Sequence, residues 1–147
     1  MAYPGGFSLA TDPGVTQMLE CDISSQTLAL GDVIELVGGT ANWAAVTSTS
    51  TARTLKAVCQ EAAASSATTV KAILCTPWQL WVAETDADSV VANQGDRFQF
   101  TDANTVDTAT GDRTTAVGCF QQVEVVGALT DKRILGRFCG LYGNATV

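Results

Sequence analysis

The side chains best suited to chemistry in this sequence are its five cysteines, Cys21, Cys59, Cys75, Cys119 and Cys139. A thiolate acts as a nucleophile when a base stands beside it, and as a zinc ligand when histidines or closely spaced cysteines complete the set. The chain has no histidine and no Cys-x-x-Cys, so Ser-His and Cys-His catalytic pairs are impossible and a zinc site is disfavoured. An odd number of cysteines also prevents a complete intramolecular disulfide framework. Two readings of the thiols stand, small core hydrophobes or disulfides; the first is favoured, with folding in a reducing compartment.

Other chemistry fares no better. The carboxylates Asp86 and Asp88 lie in a polar acidic run, Glu84-Thr85-Asp86-Ala87-Asp88, without the apolar pocket that would drive their pKa values apart for acid and base work. Gly38-Gly39-Thr40 lacks the lysine of a phosphate-binding loop, and no dinucleotide fingerprint occurs. Thr101 to Asp107 offers oxygen ligands at alternate positions but lacks the sixth-position glycine and closing glutamate of a calcium loop. A turn stabilised by Asp and Asn is the better reading. The expectation is therefore a protein with no enzymatic activity, no cofactor and no metal.

Composition sets the frame that must position any contact surface. At 147 residues and 46% hydrophobic content, the chain can bury a substantial core. Only 16% of residues are charged, and the abundance of Ala, Thr, Val, Gly and Ser favours short half-buried strands. The net charge is −7, with no Lys or Arg before Arg53. The only close basic group is Lys132, Arg133 and Arg137, which disfavours nucleic-acid binding. No apolar run approaches the roughly 18 residues needed to span a membrane, and the start lacks the pattern of a secretory signal. The expectation is a soluble protein made in a cytoplasm.

Along the chain, residues 1–20 carry Pro4, Gly5, Gly6, Pro13 and Gly14 among Tyr3, Phe7, Leu9 and Met18. Such spacing breaks regular elements but suits an extended arm that docks apolar side chains on a neighbour. Gly31-Asp32 signals a turn before a strand at Val33–Val37, where Ile34 and Leu36 alternate with Glu35. Residues 40–53 read as a packed surface loop or edge hairpin anchored by Trp43 and Val46. Residues 55–63 have helical spacing and propensity, yet an internal comparison favours a strand there.

In that comparison Gly95-Asp96 matches Gly31-Asp32, Phe98 and Phe100 match Ile34 and Leu36, and Cys139 follows Gly95 by the same 44 residues that separate Cys75 from Gly31. Ile134, Gly136 and Phe138 match Val70, Ala72 and Leu74, and Ala116 to Gln122 is similar to Ala57 to Glu61. Two readings stand: duplication of a small β unit, in units of about 27–90 and 91–147, or chance likeness between β segments of similar composition. Between the units, Trp78 and Trp81 fall on opposite faces of an extended segment, one for the core and one for an edge or interface. The fold class expected is all-β: a compact β-tulip or barrel-like domain over residues 21–147, with an extended N-terminal arm at 1–20.

Gly95-Asp96-Arg97-Phe98-Gln99-Phe100-Thr101-Asp102-Ala103-Asn104-Thr105-Val106, followed by Ala116-Val117-Gly118-Cys119, resembles the small capsid decoration, or cement, proteins of tailed bacteriophages. Ala57 to Leu74 is similar to the end of the same pattern: a strand, a small-residue turn and a last strand. The resemblance implies a structural protein of the virion. It would bind the outer surface of the capsid, clamp neighbouring major capsid proteins and stabilise the head, commonly as a homotrimer. Two units per chain leave a dimer or monomer open. The residues expected at partner contacts are Tyr3, Phe7, Leu9, Met18, Trp43, Trp78 and Trp81. The alternative is a carbohydrate- or protein-binding β module of a phage fibre or adhesin, suggested by the three tryptophans.

Overall fold

The computed structural model describes residues 5–14, 16–113 and 118–139. It is all-β, with short 3-10 turns and no α-helix among the described residues. The strands are β1 (Ser8–Thr11), β2 (Met18–Ile23), β3 (Val33–Leu36), β4 (Asn42–Ala45), β5 (Lys56–Cys59), β6 (Thr69–Leu74), β7 (Leu80–Thr85), β8 (Arg97–Phe98), β9 (Phe100–Asp102), β10 (Thr105–Val106), β11 (Phe120–Val125) and β12 (Arg133–Phe138). Residues 56–59 are thus extended, and the strand preferred from the internal comparison prevails over local helix propensity. The reason is burial: Lys56, Ala57, Val58 and Cys59 are all interior, and a strand between two neighbours satisfies their backbone groups.

Strands β2-β4-β3-β5-β6 close into a five-stranded barrel in which β2 and β4 run parallel and the other pairs antiparallel. The second sheet runs β8-β11-β12-β7-β10-β9, with β1 added on β7. Only Gln99 separates β8 from β9, so this sheet too is nearly a closed ring. Gln99 leaves the ladder because its N–H donates to Thr110 Oγ1 and its carbonyl accepts from Asp107 N.

The two rings share one topology and register. In the first, Ile34 pairs with Ala57 and Ala57 with Leu74; in the second, Phe98 pairs with Phe120 and Phe120 with Phe138. β6 lies antiparallel to β2 as β12 does to β7, and β2 is parallel to β4 as β7 is to β10. Loop hydrogen bonds repeat as well. Gly31 N donates to Cys59 O as Gly95 N does to Gln122 O, and Cys59 N to Asp32 O as Gln122 N does to Asp96 O. Gly31 and Gly95 both have positive φ, 91° and 88°, each in a turn closed by a bond from the following Asp N–H to the carbonyl two residues before the glycine.

Each ring starts earlier than the sequence comparison places it. The first begins at β2 and ends at Cys75, and the second begins at β7, so Trp81 opens the second ring and does not lie in a connection. The match of Ile134, Gly136 and Phe138 to Val70, Ala72 and Leu74 agrees with the register. The likeness of Ala116 to Gln122 to Ala57 to Glu61 is out of step, because pairing sets Phe120, not Ala116, at the place of Ala57; Ala116 and Val117 themselves lie outside the described residues. Cross-strand packing fixes register more tightly than local similarity does.

Two cores result. One fills the first barrel with Cys21, Ile23, Leu28, Ile34, Trp43, Ala57, Cys59, Val70 and Ala72. The other fills the second ring with Trp81, Phe98, Phe100, Phe120 and Phe138, and extends to Val33, Val58 and Ile73 on the outer face of the first barrel. The rings are therefore joined by a continuous apolar contact, reinforced by the bond from Val33 N to Ala103 O.

Candidate functional site

The residues expected to meet a partner scatter across interior and surface. Phe7 and Trp81 are interior, at 2% and 0% exposure, which corrects the expectation that they face outward. Phe7 caps the second ring, with its own ring 5.2 to 5.9 Å from those of Phe100, Phe120 and Phe138. Trp81 stands edge-on to Phe138. Trp43 is buried in the first barrel, a correction with the same cause: a large ring pointing into a small barrel is its filling. Leu9 is half-buried against the second core. Only Met18 and Trp78 stand out in solvent, at 54% and 55%. Tyr3 lies outside the described residues. The segment expected as a free arm is largely folded back: Ser8–Thr11 pairs with β7, Phe7 N donates to Gly31 O, and Met18 to Glu20 belong to β2.

The surface feature these elements build is a strand edge. On β7, alternate residues bond to β12, as the bond from Thr85 N to Lys132 O shows; Leu80 and Val82 face the other way and are covered by β1, with Ser8 opposite Val82 and Leu9 opposite Trp81. On β2 the same alternation holds. Ile23 N donates to Thr68 O and Leu74 N to Gln17 O, so the backbones of Met18 and Glu20 face away from β6. There β4 reaches only Asp22 and Ile23; Met18 and Glu20 lie opposite Ile73 and Lys71 of β6, and on the side away from β6 no strand among the described residues pairs with them. Met18 and Glu20 are exposed, and the core residues Leu19, Leu36 and Leu74 are only half-buried. Their structural counterparts Trp81, Phe100 and Phe138 are fully buried.

Several ionisable groups are held in hydrogen-bond networks of the fold. Lys56 is 1% exposed and donates to Thr51 O, Thr54 O and Thr54 Oγ1, with Glu35 Oε2 at 3.4 Å. Glu35 in turn accepts from Ser50 and Thr54 hydroxyls. The sequence reading missed this pair; its one signal was a lone lysine flanked by apolar residues in a strand. Asp12 accepts from Gln79 Nε2, Gly14 N and Thr16 Oγ1, which together hold its carboxyl below the usual range. Asp86 is pushed up by partial burial, but bonds from Thr108 N and Oγ1 outweigh this and lower its pKa.

All five cysteines are buried thiols outside any disulfide, and Cys119 Sγ donates to Ser50 O and Cys139 Sγ to Gly118 O. Burial pushes Cys21 up to about 11 and Cys59 and Cys119 up to about 12, and Cys75 well above its ordinary value. Such thiols are protonated and poorly nucleophilic at neutral pH. Asp102 accepts from Asn104 N and Asp107 from Ala109 N, the turn chemistry expected of that stretch. No group of three His, Cys, Asp or Glu side chains suited to a metal gathers among the described residues. A recess of about 210 Å³ beside Gly5, Glu84, Asp131 and Arg133 is small and mixed in charge. No described helix is long and apolar enough to cross a membrane.

No protein-family model and no curated protein matches this sequence.

Proposed function

We propose that this chain is a structural protein of a tailed-bacteriophage virion, binding the outer surface of the capsid and clamping neighbouring major capsid proteins. The observation that carries the reading is the pair of rings of one topology, joined by a shared core and fastened by the chain's own β1. Two like rings held rigidly together give one chain two places to grip a repeating lattice. The likeness of Gly95 to Val106 to capsid cement proteins supports the same reading.

In this reading the protein has no enzymatic activity and needs no cofactor. Its partners are the major capsid protein and further copies of itself, as a homotrimer in the first instance and a dimer in the second. Cryo-electron microscopy of heads with and without the protein tests it. The expected result is extra surface density at regular lattice positions and greater resistance of the heads to heat. Heads that show neither overturn it; sedimentation of the purified protein decides between trimer and dimer.

One observation favours a second reading. Trp78 is 55% exposed, and a Cβ at Gly14 would lie 3.7 Å from both Trp78 Nε1 and Asp12 Oδ1, so the ring stands at the surface beside a side-chain-free position, as in an aromatic platform for sugars on a fibre or adhesin module. Titration against a glycan panel with tryptophan fluorescence checks it, and an unresponsive spectrum in the wild type excludes it.

A further inference from the structure

Among the described residues the second ring carries an occupant that the first does not. β1 lies on the outer half of β7, Phe7 and Leu9 point inward, and beneath them Trp81, Phe100 and Phe138 are completely buried. At the corresponding place on the first barrel, on the side of β2 away from β6, no strand among the described residues lies beside Met18 and Glu20, and Leu19, Leu36 and Leu74 remain half-buried. Among the described residues, two rings of equal register have one edge filled and one edge open.

We infer that the open edge of β2 is a strand-acceptor site for an extended segment of another protein. β1 shows what chemistry the occupant must have, because it fits the equivalent edge. The segment runs antiparallel to β2, as β1 does to β7. It turns an aromatic residue inward at the place of Phe7 and an aliphatic one inward at the place of Leu9, opposite Leu19. Between them, at the place of Ser8, an outward residue stands opposite Glu20, since Ser8 stands opposite Val82. Glu20 and Asp22 both point to solvent on this face, so that outward position is basic; cross-strand charge pairs of this kind favour the match. Asp22 has a further part to play. Its counterpart Glu84 accepts from Gly6 N just before Phe7, and Asp22 offers a carboxylate at the same position.

Strand addition satisfies the Met18 and Glu20 backbone groups and covers the half-buried leucines in one step, a recognised mode of peptide capture. The chain's own β1 is not the occupant, since it already covers β7. The inference stands on the comparison of the two rings and does not rest on the capsid reading.

The test uses the full chain and a synthetic peptide, Gly-Gly-Phe-Lys-Leu-Ala-Thr, which is the β1 sequence with lysine at the place of Ser8. Backbone amide NMR and hydrogen exchange follow the titration. In the free protein the Met18 and Glu20 amides exchange fast; with peptide they become protected and shift. Replacing the peptide's Phe and Leu by Ala abolishes the effect. Glu20→Lys weakens binding by about tenfold. Glu20→Pro removes the outward N–H while leaving the bonds from β2 to β6 intact, and abolishes it. Protection of Met18 and Glu20 in the free protein overturns the inference. So do shifts confined to Leu80 and Val82, which would mean that the peptide has displaced β1, or no change at any soluble peptide concentration. If Glu20→Pro fails to fold, judged by near-ultraviolet circular dichroism, Glu20→Lys and the alanine peptide decide the matter.

Discussion

Phe7→Ala tests whether the first residues are part of the fold. The ring is 2% exposed and touches three other aromatic rings at 5.2 to 5.9 Å. Truncating a buried phenylalanine costs about 3–5 kcal/mol through lost transfer energy and the void left behind. Each edge-to-face contact adds about 0.5–1.5 kcal/mol of its own, though these are not additive. Against a total stability of about 5–15 kcal/mol, a loss of about 4 kcal/mol lowers the urea midpoint by about 2 M. Leu9→Ala, half-buried, loses less than half as much, and Ser8→Ala, on the outer face, is near neutral. Deleting residues 1–12 removes the β1 ladder as well, so hydrogen-exchange protection falls in β7, β11 and β12 before it falls in β2 and β6. A midpoint shift under about 0.5 M for Phe7→Ala, or unchanged protection of β7 after the deletion, would refute the docking of β1.

Three further outcomes are expected. Gly136→Ala places a Cβ against the Gln121 carbonyl and the Phe120 ring, costing about 3 kcal/mol in a chemical melt, whereas its counterpart Ala72→Gly loses only about 1 kcal/mol; equal losses would mean the register is wrong. The buried thiols have folded pKa values raised above 9.0, so the unfolded chain releases their protons first. Their stabilisation is whole below pH 9 and declines as pH rises towards 12, by up to about 1.4 kcal/mol per pH unit for each thiol. Cys59→Ala should flatten that decline in alkaline thermal melts, and an unchanged slope would count against burial of Cys59. Lys56→Met strands Glu35 beside an apolar side chain and costs about 3 kcal/mol, and Lys56→Met with Glu35→Leu regains part of it; a double variant worse than the single one contradicts the pairing.

The class of fold was legible because alternation and turn chemistry are local. Val33 to Leu36 alternates, Gly31 and Gly95 sit where a turn needs positive φ, and the 44-residue spacing to Cys75 and Cys139 reflects equal path lengths around two rings. What was not legible depends on which face of a strand is covered. Trp43 and Trp81 look like recognition residues in a Thr-rich or connecting context, and nothing local says that their rings point into a barrel. Phe7 sits in a Pro/Gly-broken stretch typical of a free end, and only β7, more than seventy residues later, makes it interior. The open edge of β2 was likewise out of reach, because among the described residues it is defined by a strand present on one ring and not on the other.

The differences between the rings follow from those coverings. On the outer faces, Val33, Val58 and Ile73 pair across β3, β5 and β6 and are buried against the second ring; their counterparts Arg97, Gln121 and Arg137 stand in the same row with solvent beyond, and Arg137 Nε donates to Gln121 Oε1. One row had to become apolar and the other to stay polar once the two rings packed asymmetrically. Inside, volume moved without being lost: Trp43 and Ala57 fill the first barrel where Val106 and Phe120 fill the second. Close packing requires such exchanges, since a ring of fixed strand number encloses a nearly fixed space. Leu19, Leu36 and Leu74 against Trp81, Phe100 and Phe138 break this balance, because all three are smaller in the first ring and none is compensated nearby. A barrel that must hold its own cap gains from large aromatic residues beneath it. One that exchanges its cap with a partner is better served by aliphatic residues that tolerate partial exposure, and that is the arrangement at the β2 edge.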